Sequence, residues 1–337
     1  MSAIEETGAA LPREKTDVWP VLLPLIVAAA ALPFVGSFST WTTLTIAGLA
    51  MGMMIFAMSS GLTLVFGLMD VMNFGHGAFV AVGAYLAVVA LAPLAVYAQS
   101  DQILVNLVAL VPTALIAMAV SAAVGFAFER AFVRPVYGQH LKQILITMGG
   151  LIVAEQLLYA IFGPQIIPLP VPAALRGSFL VGGAAIEKYR VIAVVVGLIV
   201  FVALQLALTR TRIGLLIRAG VENREMVEAL GYRIDRLFVG VFMAGSALAG
   251  LGGMMWALYR EQVHASIGGE MMVLTFIVII IGGLGSVGGC FIGAVLVALT
   301  ANYAGYLAPK IALVSNIALM VIILLWRPRG LYPVTSR

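Results

Sequence analysis

TRTRIGLLIRAGVENREMVEALGYRIDRLF, residues 209–238, places six arginines (Arg210, Arg212, Arg218, Arg224, Arg233 and Arg236) and four acids (Glu222, Glu225, Glu228 and Asp235) between two long apolar runs. No other stretch of this length holds as many charged residues. Such a stretch reads as a loop joining membrane spans, its arginines holding it on the cytoplasmic side. Asn223 is suited to cap a short helix, Glu225 falls in the first turn near the positive helix end, and Gly231 is placed to end it. Met226, Val227 and Leu230 are expected on one side of that helix. A loop that needed only solubility would require neither cap nor apolar face, so this one is expected to dock on something.

Composition agrees with that reading. Of 337 residues 62% are hydrophobic and only 10% charged, far from the balance of a soluble domain. The expected fold class is all-α: a polytopic helical bundle set in membrane lipid, with about eight to ten transmembrane helices. The net charge of +4 comes from arginines at span ends. There is no basic run interleaved with aromatics, so nucleic acid is not an expected partner. The single cysteine, Cys290, lies in an apolar Gly-rich run, which excludes an internal disulfide and a Cys-based metal cluster.

Outward from the loop, apolar runs occupy residues 18–36, 41–66, 78–98, 103–128, 143–162, 191–208, 237–258, 271–281, 291–307 and 311–326. They give ten crossings, or eight if the short Gly-broken pieces turn back. Residues 1–17, with Glu5, Glu6, Arg13, Glu14 and Lys15, are expected to form a cytoplasmic tail, and residues 18–337 a single transmembrane domain. A cleaved signal peptide fits poorly, because the leader is acidic as well as basic. With ten crossings, fourteen Lys and Arg residues fall inside and five outside. That bias puts the 209–236 loop in the cytoplasm.

Two Gly-rich interruptions call for more than spanning. GLTLVFGLMDVMNFGHGAFVAVGAY, residues 61–85, sets Asp70, Asn73 and His76 between apolar runs, and GGLGSVGGCFIGA covers residues 282–294. In transporters such breaks free backbone groups and half-helix ends to line a polar path. Close-spaced glycines also serve tight helix packing, as Gly245 with Ala249 suggests. The layout puts the first break near the cytoplasmic end, where Asp70 and His76 would be solvated; bonding freed backbone is the expected role of His76. Glu155, in ITMGGLIVAEQLLYA (residues 146–160), is the most isolated acid in a span, and a polar bond to a neighbouring helix is expected for it.

Enzyme signatures are missing. There is no GxxxxGK followed by Ser or Thr, no HExxH, and His76, His140 and His264 fall in different loops, so neither a cofactor nor a metal site is expected.

NFGHGAF at residues 73–79, ENREMVEALGYRIDRLF at 222–238, IIGGLGSVGG at 280–289 and the terminal WRPRGLY at 326–332 together resemble the permease subunits of branched-chain amino-acid ABC importers, closer to the LivH type than to its LivM partner. The resemblance runs from about residue 41 to residue 332. It implies a bacterial inner-membrane importer in which a periplasmic binding protein delivers substrate, this chain and a second, LivM-like permease form the pathway, and two cytoplasmic ATPase subunits power it. By position, the segment with Arg218, Glu222, Asn223, Glu225, Glu228 and Gly231 would be the ATPase-coupling helix. Asn73, Phe74, Gly75, His76 and Gly77, with Gly282, Gly283, Gly285, Gly288 and Gly289, match the family's two signatures and would line the substrate pathway. Asp70 stands where many relatives have a basic or small residue. The same architecture also serves urea, short amides and other amino acids. A stand-alone secondary transporter or channel for a small polar solute is the alternative; it would use Glu155 for ion coupling and leave the docking helix without a task.

Overall fold

The computed structural model describes residues 18–222 and 224–332. The tail at residues 1–17 and the cap expected of Asn223 lie outside the described residues. Ten apolar helices are present among them: α1 (Trp19–Val35), α2 (Phe38–Met69), α3 (His76–Leu91), α5 (Ile103–Phe128), α6 (His140–Phe162), α7 (Lys188–Arg210), α10 (Ile234–Arg260), α11 (Ile267–Gly282), α12 (Val287–Leu307) and α13 (Pro309–Trp326). The short α4 (Ala95–Ala98) follows α3, and α8 (Arg212–Glu222) and α9 (Arg224–Ala229) lie in the charged loop. Six helices, α2, α5, α6, α7, α10 and α12, are long and apolar enough to cross a membrane. The protein is an all-α, multi-pass membrane protein.

The bundle is organised around α2, whose apolar stretch is 83% buried inside the protein. It runs antiparallel to α12: Leu299 lies over Gly48 and Val295 over Gly52, and the rings of Phe56 and Phe291 meet edge to face at 5.4 Å. It also crosses α10, where Gly245 serves close packing against the backbone of Gly61. The helices α3 and α10 also approach closely. A methyl group at Gly83 would sit 2.0 Å from the carbonyl oxygen of Gly250, so only hydrogen fits there.

Several expectations are corrected. The third apolar run does not continue to residue 98, because α3 ends at Leu91 and the chain turns before α4. The charged loop holds two helices, not one. The polar segment after α6 forms a hairpin, β2 (Ser178–Val181) with β3 (Ala184–Glu187), across Gly182 and Gly183, both at positive φ as a two-residue turn requires. Before it, β1 (Ile167–Pro168) pairs antiparallel with β4 (Gln262–Val263), tying the segment to the turn after α10.

Candidate functional site

The first break begins where Asp70 caps α2 in the left-handed conformation at φ 51°. The chain does not leave the bundle there. Val71, Asn73 and His76 are buried, and His76 Nε2 lies 2.9 Å from the carbonyl oxygen of Met58. Met58 precedes Met69 by eleven residues, about 16 Å of helix. So α3 starts beside the middle of α2, and residues 71–75 climb back to it through the interior. The expectation that both Asp70 and His76 are solvated holds for Asp70 alone, which is exposed with its carboxylate 3.7 Å from His140 Nε2. His76 bonds backbone as expected, but on a helix carbonyl.

Extended backbone in an apolar interior must find partners. Two side chains one turn apart on α6 supply them: the Met72 amide donates to Gln143 Oε1 at 3.3 Å, and that of Phe74 to Thr147 Oγ1 at 3.0 Å. Both are fully buried. The sequence reading missed them, although two polar residues spaced i, i+4 near the start of an apolar span were the available signal. Phe74 packs on Phe276 of α11 with ring centroids 4.5 Å apart and planes tilted by 36°, Gly75 lies against Phe128 and Thr147, and Gly77 against the backbone of Gly268. Among the described residues, nothing bonds either polar atom of the Asn73 amide or Nδ1 of His76.

The second break closes the turn between α11 and α12. Gly283 and Gly285 have φ of 99° and 81°, and the hydroxyl of Ser286 accepts from the Gly289 amide at 3.1 Å to cap α12. Gly282 and Gly289 face one another so closely that a methyl group on Gly289 would lie 2.0 Å from the Gly282 oxygen, whereas Gly288 faces open space. Gly285 rests against Gly67, so this turn reaches α2 just before the first break leaves it. A cavity of about 570 Å³ opens beside it, lined by Gly285, Ser286, Gly288, Phe201, Gln205 and Tyr332 among others. The carbonyls at the end of α11 are taken by the chain's own C-terminal segment: Leu331 N donates to Ile281 O at 2.9 Å and Tyr332 N to Gly282 O at 3.0 Å.

In the charged loop, α9 closes on a Schellman motif, with Tyr232 N bonded to Val227 O, Gly231 N to Glu228 O, and Gly231 at φ 87°. The three apolar residues of this helix do not share one fate. Val227 is buried, while Met226 and Leu230 are 58% and 70% exposed. Arg218 and Glu222 lie in α8, and Glu225 and Glu228 in α9. Gly220 of α8 lies against Ile234, the first residue of α10, which is itself buried. Arg134 and Asp235 form a 2.8 Å ion pair at the edge of an open cleft of about 500 Å³ lined also by Arg130, Glu228, Arg233 and Arg236. Nearby, Tyr137 donates to the buried carboxylate of Glu129; burial first, and that bond second, push its phenol above the usual range.

A family model described as the permease component of branched-chain amino acid transport systems matches residues 44–325. The chain belongs to this permease family. Both Gly-rich breaks and the charged loop fall inside the match, as do the apolar helices from α2 to α13 apart from the first turns of α2 and the last residue of α13, whereas α1 precedes it. Among curated members, the high-affinity branched-chain amino acid transport system permease protein BraD of Pseudomonas aeruginosa is 26% identical over 84% of this chain and 93% of its own length. LivH of Escherichia coli is 25% identical over 84% of this chain and 92% of its own. A probable LivH from Methanocaldococcus jannaschii is 24% identical over 73% of this chain and 75% of its own. No solved structure matches. This permease is thus of the LivH type, and its curated relatives are transport permease subunits.

Proposed function

We propose that this chain is one of two permease subunits of an ATP-driven importer in a bacterial inner membrane, carrying branched-chain amino acids released by a periplasmic binding protein. Its relatives are named for branched-chain amino acid transport, and the substrate class rests on them; urea, short amides and other amino acids are the alternative cargo. Residues 18–337 form one transmembrane permease domain, residues 1–17 a cytoplasmic tail, and residues 209–236 the coupling loop.

The observation that carries this reading is the loop. Its second helix ends in a defined Schellman turn yet leaves Met226 and Leu230 uncovered at the surface, which suits a helix that enters a groove on an ATPase. A push on the loop reaches α10 through Gly220 and Ile234, and then α2, which carries the first break at its end. Asn73 to Gly77, beside the middle of α2, and Gly282 to Gly289, against its end, then shift with that helix and open the path. Backbone dipoles at the two breaks suit the charged ends of a zwitterion.

The test is a pull-down of the intact chain from membranes, with mass spectrometry, compared with a chain lacking residues 221–231. A second permease and a pair of ATPases should accompany the intact chain, and the ATPases should be lost with the deletion. Purification of the chain alone, with uptake into vesicles that needs no ATP, would overturn the reading in favour of an ion-coupled carrier. Glu155, whose carboxylate has no partner among the described residues, favours that carrier; Glu155→Gln abolishes its uptake and leaves the importer's largely intact.

A further inference from the structure

Of the six long apolar helices α6 is the least covered: 11% of its apolar stretch is buried in the protein. Gln143, Thr147 and Leu158 turn inward. A second face, at spacings of three and four residues, carries Leu145, Met148, Ile152, Glu155 and Tyr159. Leu145 and Ile152 are 64% and 58% exposed. Among the described residues no hydrogen bond or ion pair engages the carboxylate of Glu155, so the bond to a neighbouring helix expected from the sequence is not made among them.

Glu155 stands seven residues, about 10 Å, before the end of α6. A carboxylate at that position against hydrocarbon costs several kcal/mol unless it meets water or a partner. The other weakly covered spans, α5 and α7, carry no acid or base between Ile103 and Phe128 or between Arg190 and Arg210, and they suit lipid as they stand. Beside the stripe, Gly149 has nothing within 4 Å of where a methyl group would be, leaving room for a closely approaching backbone. Soluble ATPases and a periplasmic protein cannot reach this depth, so the cover must itself be a membrane helix.

We propose that this stripe of α6 is the surface on which a second permease subunit packs, and that the partner sets a hydrogen-bond donor or basic group against Glu155. This rests on the two-permease reading above and adds which face makes the pair.

The test places a photoreactive benzophenone amino acid at Ile152, and separately at Ile199 on the exposed side of α7, in the intact complex in its native membrane. Illumination should link position 152 to a peptide of a permease chain, either a second copy of this one or a homologous one, and position 199 to lipid. Capture of the permease from position 199 and not from 152 would overturn the proposal while the two-permease reading stood. Capture from neither, with the chain purifying without a second permease, would overturn both. In the same preparation Glu155→Lys should lower recovery of the second permease about tenfold or more, and Glu155→Gln should retain it. Equal recovery with Lys would sink the assigned role of Glu155.

Discussion

The backbone amide of Leu331 donates to the carbonyl oxygen of Ile281 at 2.9 Å, across fifty residues of sequence. With the neighbouring bond from Tyr332 to Gly282, it closes the end of α11, where helix carbonyls would otherwise be left without donors inside the bundle. The turn that brings the segment back uses Gly330 at φ 85°, packed on Gly283. A chain ending at Arg329 should therefore insert but lose roughly 2–5 kcal/mol of stability, read as a lower unfolding temperature in detergent. An unchanged transition would show that the bonds contribute nothing.

Within the second glycine motif, adjacent positions should respond in opposite ways. Gly289→Ala drives a methyl group to 2.0 Å from the Gly282 oxygen and should disrupt the α11–α12 turn, with the permease degraded or unassembled. Gly288→Ala meets open space and should stay within about 0.5 kcal/mol of the parent. Expression and thermal stability of the two variants, measured side by side, decide it.

Thr147→Val keeps the side-chain shape but removes the acceptor for the Phe74 amide. It should destabilise the fold by about 1–3 kcal/mol and raise amide exchange over residues 71–76. Exchange as slow as in the parent would mean that the first break is held by other groups.

The Arg134–Asp235 pair is short, at 2.8 Å, but its side chains are 40% and 45% exposed. Asp235→Asn should therefore cost no more than about 1 kcal/mol in chemical denaturation. Tyr137→Phe should cost more, about 2 kcal/mol, because it leaves the buried Glu129 carboxylate without its donor.

Local signals in the chain carried a good deal. The apolar runs set the class and ten helices, Gly231 ended α9 where it was expected to, and the breaks fell at Asp70 and Gly283 because glycine and left-handed residues are locally encoded. Four motifs in order pointed to the permease family that the comparison assigns. The outward turn of Met226 and Leu230 beside a buried Val227 was not legible, since a helix of six residues has no moment long enough to fix its packed face.

What only the tertiary structure decided is depth and partnership. That His76 lies beside Met58, that Gln143 and Thr147 hold the first break, and that residues 331–332 close α11 all depend on contacts between segments far apart in sequence. The physical reason is the same in each case. In an apolar interior every freed amide and carbonyl must be paired, but any donor at the right height can do it, and height is set by how the helices pack.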